Sequence, residues 1–490
     1  MLKQFLKISS GPISAISIYL LTKSAGFDHP AAVMSAVVLW VGMWWMLEPV
    51  HLAVTSLLPF LLLPVLGILK TDEVAMQYMD PIIFLFIGGF FLAYSMEKWR
   101  LHERVAYSII LKAGNLPSRI LFGIMLSSYL ISMWVSNTAT VMMLLAAVLA
   151  IVKQKELYAE NAHRKVSSAL LIGLSFSATI GGMATPVGTP PNMIFAGFYA
   201  REFTDAPAID FVQWMKFGVP FSFILLVVCY TILRISLIPK NADLAFNMST
   251  ISNKLTSLKE PGFEEKTVAV IFGLTVLLWL FRDTLNFGAF SITGWTKLLG
   301  TYGTNIKDST VIIFTTMLLF FIPAKNKKGR LLDWQDTQQL PLSVILLFGS
   351  GFALAAGFER SGLSVSVAQQ LTLLHGAPVW LVLLGIAVTV TLLSEFASNT
   401  ATVQLVLPVI IPLAASLQLP PLLLMLTATF AASLGYMLPV ATSANTIVYG
   451  SGEIKASEMM RAGFLLDIVG ILLLLLFMWL LGNSAFGFTF

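Results

Sequence analysis

The sequence predicts an all-α polytopic membrane protein, and three observations carry that prediction. The first is composition. The chain has 490 residues, 57% hydrophobic and only 11% charged, with mean hydropathy +0.84, where soluble domains carry about 25% charged residues. The second is that apolar segments recur along the whole chain, so one integral membrane unit accounts for the length better than several soluble domains. The third is a phrase written twice. SNTATV occupies Ser136–Val141 and again Ser398–Val403, each time as a small polar island inside a long apolar run. In lipid such an island is costly unless its polar groups find partners or line a cavity. Two copies suggest one site built from two halves.

Taken in order, the candidate spans are 12–26, 31–47, 50–69 and 80–97, followed by a basic amphipathic stretch at 98–115. The first SNTATV lies in a region of about 117–152, which is too long for one crossing and too polar at its centre for two. A re-entrant helical hairpin, two half-helices meeting at a polar tip, fits better. A polar loop from Lys153 to Lys165 follows, then an interrupted span at 167–200 and further spans at 213–237, 266–281, 309–322 and 340–359. The second SNTATV region covers about 376–417, followed by an interrupted span at 420–450 and a last one at 461–481. Lys3 and Lys7 precede an apolar segment without a clear small-residue cleavage site, so no cleavable signal is expected. Cys229 is the only cysteine, which excludes an intramolecular disulfide.

The repeat extends beyond the six-residue phrase. At an offset of 262, Phe86, Gly89, Phe90 and Glu97 match Phe348, Gly351, Phe352 and Glu359. At an offset of 253, Pro186, Thr189 and Asn192 match Pro439, Thr442 and Asn445. The order span, hairpin, broken span therefore occurs twice, within 31–237 and within 266–481. With the N-terminus cytoplasmic and both hairpins re-entrant, the chain makes about eleven crossings and ends outside. The loops then facing the cytoplasm hold 22 of the 30 Lys and Arg, including the run Lys325, Lys327, Lys328 and Arg330. This satisfies the positive-inside rule and makes the two repeats inverted, the arrangement suited to alternating access. The net charge of +5 thus reads as membrane orientation, with no nucleic-acid partner.

The chemistry lies in the motifs. Thr185-Pro186-Val187-Gly188-Thr189-Pro190-Pro191-Asn192 cannot continue a helix. Its counterpart, Leu438-Pro439-Val440-Ala441-Thr442-Ser443-Ala444-Asn445, has one proline and a less forced break. Opened backbone leaves free carbonyls on one half-helix end and free N–H groups on the other. Carbonyls, hydroxyls and amide oxygens suit a hard cation such as Na⁺. N–H groups and hydroxyls suit an anion. None of the four motifs contains Lys or Arg, so an anion held there depends on neutral donors and on the field of bound cations. That dependence is what a symporter needs.

The paired SNT tips, the GTPPN break and the MLPVAT break resemble the divalent anion:sodium symporter (INDY-type) family, over about residues 30–480. The resemblance implies an elevator-type transporter in the cell's inner membrane, a homodimer, no cofactor beyond Na⁺ as coupling ion, and Na⁺-coupled uptake of dicarboxylates, citrate or sulfate. Carried over by motif, one sodium site would use Ser132, Ser136, Asn137 and the backbone of Gly188. The other would use Ser394, Ala397, Asn399 and the backbone of Ala441. The substrate would lie among Asn137, Thr138, Ser398, Asn399 and Thr400, approached by Thr189, Pro190, Thr442 and Ser443. Ser132 and Ser394 each stand one helical turn before their tip. One departure is Thr442-Ser443-Ala444-Asn445, where the family pattern leads one to expect a proline.

Plainer readings compete. An isolated SNT in a membrane helix is often helix–helix glue, but duplication with matching breaks favours a site. Glu395, whose repeat counterpart is Met133, reads as making a structural hydrogen bond near the hairpin before a cation or proton ligand. Glu97 and Glu359 read as span ends, and Trp44-Trp45 as an interfacial belt. His29, His51, His102, His163 and His375 form no metal-ligand spacing. The expected function is import of C4-dicarboxylates (succinate, malate, fumarate) coupled to Na⁺. A sodium-independent exchanger and a sulfate or citrate transporter are the alternatives. A cation/proton antiporter would want an ionisable residue at membrane depth, and only Glu395 is near. No enzyme motif is present.

Overall fold

The computed structural model describes residues 2–154, 160–204, 206, 209–239, 246–286, 291–326, 328–370 and 376–487. Lys327, His375 and the centre of the Lys153–Lys165 loop lie outside the described residues.

The chain opens with α1 (Leu2–Ser24) and α2 (His29–Leu47), packed along one another. Trp44 Nε1 donates to the Ile8 carbonyl at 3.1 Å, and Lys7 Nζ to that of Leu47 at 2.9 Å. Trp45 does not join an interfacial belt. It is 1% exposed and packs in a core with Met34 and Leu63. The expected span at 50–69 is not one helix but α3 (Leu52–Thr55) and α4 (Leu58–Val65), followed by α5 (Thr71–Gln77). Pro59 opens α4 and Pro64 lies near its end. Each lacks an N–H, and the ring obstructs the preceding turn. A helix as short as α4 rises only about 12 Å, against a hydrocarbon core of roughly 30 Å.

α6 (Pro81–Lys98) starts at a capped proline, with Asp80 Oδ1 accepting the Ile82 N–H at 2.9 Å. The amphipathic α7 (Leu101–Ala113) turns His102, Ala106, Tyr107 and Ile110 inward. The first SNTATV region folds as α8 (Pro117–Ser132) and α9 (Asn137–Val152). The first interrupted span is α10 (Glu160–Gly182) and α11 (Pro190–Glu202). Next come α12 (Phe211–Leu237), α13 (Ser249–Ser257) and α14 (Phe263–Leu280). A two-strand ribbon, β1 (Leu285–Asn286) with β2 (Ser291–Ile292), was not anticipated. α15 (Asp308–Phe321), α16 (Leu342–Arg360) and α17 (Leu363–Gln370) lead to the second SNTATV region, α18 (Val379–Phe396) and α19 (Asn399–Leu417). The second interrupted span is α20 (Pro421–Ala432) and α21 (Ser443–Tyr449), and α22 (Ala456–Phe486) closes the chain. Among the described residues, nine helices are long and apolar enough to cross a bilayer.

α10 is the central post, with 94% of its apolar window buried. Small residues let its neighbours approach, as expected where association rests on close packing. A Cβ on Gly173 would lie 2.6 Å from Leu121 Cδ1, and one on Gly181 would collide with the Tyr129 carbonyl, both on α8.

α7 is tied to α14 by a bidentate pair. Arg104 Nε donates to Glu265 Oε1 at 2.5 Å, and Nη2 to Oε2 at 2.9 Å. The two side chains are 20% and 11% exposed. Arg104→Ala leaves the Glu265 charge without its partner and is expected to lower stability by about 2 kcal/mol. Thermal unfolding in detergent checks this, with Arg104→Lys, which keeps the charge but not the fork, falling in between.

Candidate functional site

The two SNTATV motifs occupy matching helix junctions. α8 ends at Ser132 and α9 begins at Asn137, with Ser136 Oγ accepting the Ala139 N–H at 3.3 Å. α18 ends at Phe396 and α19 begins at Asn399, with Ser398 Oγ accepting the Ala401 N–H at 3.3 Å. Each serine is an N-cap, so each tip presents the free N–H end of a long helix. Behind the tips, Ser132 Oγ donates to Asn137 Oδ1 at 2.7 Å and Ser394 Oγ to Asn399 Oδ1 at 2.9 Å. The one-turn spacing read from the sequence thus brings the same serine–asparagine pair together twice.

The breaks match as closely. Asn192 Nδ2 donates to the Gly182 and Thr185 carbonyls at 2.9 and 2.8 Å, bridging the gap between α10 and α11. Asn445 Nδ2 donates to the Leu438 carbonyl at 3.2 Å and the Tyr436 carbonyl at 3.5 Å, bridging the gap between α20 and α21. Asn445 also accepts a bond from Ser175 of α10, which joins the second break to the first interrupted span. Thr442 Oγ1 caps α21 through the Asn445 N–H at 3.1 Å.

Hairpin and break are cross-linked in both halves, by different chemistry. In the first half, Thr185 Oγ1 donates to the Met133 carbonyl at 2.5 Å. At the corresponding positions of the second half, the Leu438 N–H donates to Glu395 Oε2 at 2.7 Å. Glu395 Oε1 takes the Met437 N–H, also at 2.7 Å. Glu395 therefore acts as a buried backbone acceptor in this structure.

Both tips and both breaks line one cavity of about 920 Å³, near the upper end of the roughly 300–1,000 Å³ usual for ligand sites. Asn137, Thr138, Thr189, Pro190, Ser398, Asn399, Thr400, Thr442 and Ser443 all face it. So do Ser136, Gly188, Ala397 and Ala441. Ser132 and Ser394 do not reach it; they are fully buried behind the tips, bonded to the asparagines. Oxygens crowd around Gly188. A Cβ there would lie 2.6 Å from the Gly182 carbonyl oxygen and 3.0 Å from that of Met133. A Cβ on Gly182 would lie 2.6 Å from Asn137 Oδ1. Such neutral oxygens, beside free helix N–H groups, are chemistry for a hard cation next to an anion.

Sequence reasoning missed several residues. Trp134 and Phe396 flank the two tips at equivalent positions and both line the cavity. Trp134 is stacked on Phe211 at 6.0 Å and edge-on to Phe272 at 5.0 Å, whereas Phe396 is 66% exposed. An aromatic two residues before each Ser-Asn was the available signal. The far wall comes from α2, α6 and α16, whose repeat-matched Phe86 and Phe348 rings touch at 5.4 Å. Lys7, Glu48, Glu97 and Pro341 also line it, and Lys7 is the only Lys or Arg among the described lining residues.

Residues 3–485 match the family model described as the sodium:sulfate symporter transmembrane region. The chain is 37% identical to the sodium-dependent dicarboxylate transporter SdcS of Staphylococcus saprophyticus, over 99% of this chain and 92% of that protein. Identity and coverage are the same for SdcS of Staphylococcus aureus strain MRSA252. Among solved structures, the YdaH transporter of Alcanivorax borkumensis superposes with a TM-score of 0.52 at 14% identity, covering 84% of this chain and 88% of that one. MtrF of Neisseria gonorrhoeae gives 0.54 at 12% identity, covering 83% of each. Those two likenesses are of fold alone. With the family pattern matched almost end to end, on a helical fold shared with transporters, the chain belongs to the sodium:sulfate symporter transmembrane family of multi-pass membrane transporters.

Proposed function

We propose that this protein imports C4-dicarboxylates such as succinate, malate or fumarate, coupled to Na⁺, by alternating access. The carrying observation is the single cavity lined by both tips and both breaks, with no Lys or Arg in any of the four motifs. A dicarboxylate held there by helix N–H groups, hydroxyls and asparagine amides lacks a resident counter-charge. Bound Na⁺ supplies it, so affinity for the anion follows affinity for the cation. In this reading Ser132, Ser136, Asn137 and Gly188 serve one Na⁺, and Ser394, Ala397, Asn399 and Ala441 the other. The substrate lies between the tips, against Thr138, Thr189, Pro190, Ser398, Thr400, Thr442 and Ser443. The names of the staphylococcal relatives support both Na⁺ and dicarboxylate.

Orientation follows from charge. The cavity lining includes Lys7, Glu97 and Pro341, which lie in or beside segments that the positive-inside rule assigns to the cytoplasm. In this reading the cavity belongs to the cytoplasm-facing state of an inverted-repeat transporter. The hairpins and broken spans carry the site across the membrane against the remaining helices, within a homodimer.

The test is uptake of radiolabelled succinate into proteoliposomes under an inward Na⁺ gradient, repeated with K⁺. Uptake that requires Na⁺ is the expected result. Equal uptake in K⁺ that requires internal dicarboxylate would replace symport with exchange. Uptake of sulfate or citrate in place of succinate would replace the substrate, sulfate being the anion in the family's description.

A further inference from the structure

We infer that Glu395, supported by Asp467, is the positioning residue of the second cation site, and that this makes the two cation sites unequal. The inference rests on the sodium-site reading above. Three successive N–H groups of the second break, on Tyr436, Met437 and Leu438, are all taken by carboxylates. Asp467 Oδ1 accepts the first at 3.1 Å, and Glu395 Oε1 and Oε2 accept the next two at 2.7 Å each. Consecutive N–H groups in a turn form a concave nest for an anion, and here the protein supplies that anion itself. Glu395 is 1% exposed and Asp467 7%. No ion pair is recorded for either among the described residues.

The consequence is geometric. In a trans peptide the N–H and C=O point opposite ways. Turning the Met437 and Leu438 N–H groups towards Glu395 therefore turns the carbonyls of the same peptide units away from it. Those carbonyls belong to Tyr436 and Met437; the Tyr436 carbonyl takes Asn445 Nδ2 at 3.5 Å, and Asn445 also holds the Leu438 carbonyl, which accepts the Ala441 N–H at 3.1 Å, so the orientation set at Glu395 reaches Ala441 through Asn445. Glu395 also adjoins Ser394 in the chain, and a Cβ on Gly435 would lie 3.3 Å from the Ser394 carbonyl. One side chain thus fixes the hairpin half and the break half of the site against each other. In the first half the same cross-link is a neutral one, Thr185 to the Met133 carbonyl. The first break has three prolines to hold its shape where the second has one, and the carboxylate clamp supplies the missing rigidity.

The experiment measures Na⁺ binding without transport, as the Na⁺-specific rise in thermal unfolding temperature over K⁺ in detergent, together with the Na⁺ dependence of succinate uptake. In Glu395→Gln an amide NH₂ faces one of the two N–H donors. A charge-assisted bond is lost, and half-saturation for Na⁺ is expected to rise roughly tenfold. The succinate KM at saturating Na⁺ should stay within about twofold, and Glu395→Asp should recover part of the Na⁺ response. Asp467→Asn removes only the support behind Glu395 and is expected to shift half-saturation about threefold, which decides the matter if Glu395→Gln does not fold. Unchanged Na⁺ half-saturation in Asp467→Asn and in any folded Glu395 variant, with only the rate reduced, would overturn the inference. A wild-type protein that shows no Na⁺-specific stabilisation would instead remove the sodium-site reading itself.

Discussion

Gly188→Ala is expected to lower Na⁺-driven uptake by roughly 10- to 100-fold, while Ala441→Gly at the equivalent position stays within about threefold. The difference lies in what surrounds the two backbones. A Cβ on Gly188 meets the Gly182 carbonyl oxygen at 2.6 Å, the Gly182 Cα at 3.0 Å and the Met133 carbonyl oxygen at 3.0 Å. All three are backbone atoms, so no flexible side chain can swing aside. Relief requires the first break to move off the hairpin tip, and overpacking of this kind costs about 1–3 kcal/mol. The movement separates the oxygens that crowd around Gly188, so the loss is expected in Na⁺ half-saturation before it appears in stability. Ala441 carries its methyl in place, 2% exposed, so the second break was built with room for it. Uptake assays at several Na⁺ concentrations, with size-exclusion profiles of both variants, check the pair. Equal activity of the two would mean that the crowding at Gly188 plays no part in transport.

Much of this arrangement was legible in the sequence because it is written twice. The polar tips, the proline-rich first break and the one-turn offset of Ser132 and Ser394 are local features, and local spacing determines which residues share a helix face. The structure placed every expected substrate contact on one cavity for that reason. Features that depend on distant partners were not legible. The region 50–69 has the hydropathy of a span, yet Pro59 and Pro64 divide it. Trp45 has the composition of an interfacial anchor, yet α4 and its neighbours cover it. Glu395 reads from sequence as a structural hydrogen-bonding group near the hairpin, but its donors lie more than forty residues away. The far wall from α2, α6 and α16 has no motif of its own, because apolar helices that face a cavity and apolar helices that face lipid look alike in sequence.

Asn192→Asp is expected to remove transport altogether and to lower stability by about 3 kcal/mol, although it changes a single NH₂ group to oxygen. Asn192 is 1% exposed. Its Nδ2 is a donor shared by two carbonyls, those of Gly182 and Thr185. The Gly182 carbonyl is an orphan acceptor left where α10 stops, and the Thr185 carbonyl, which also takes the Gly188 N–H at 3.3 Å, lies in the break itself. An aspartate offers oxygen to both. Either it is ionised and buried facing two carbonyl dipoles, or it is protonated and can satisfy only one. Asn192→Leu should be less harmful than Asn192→Asp, since it leaves the Gly182 carbonyl unpaired without adding repulsion. In the second break the bonds from Asn445 are longer, at 3.2 and 3.5 Å, and the carboxylates of Glu395 and Asp467 share the work of holding the chain. Asn445→Asp should therefore cost less stability than Asn192→Asp. Thermal unfolding of the three variants orders these costs directly. If the two aspartate variants were equally stable, the first break would not depend on its asparagine bridge, and its shape would have to come from Pro186, Pro190 and Pro191 alone.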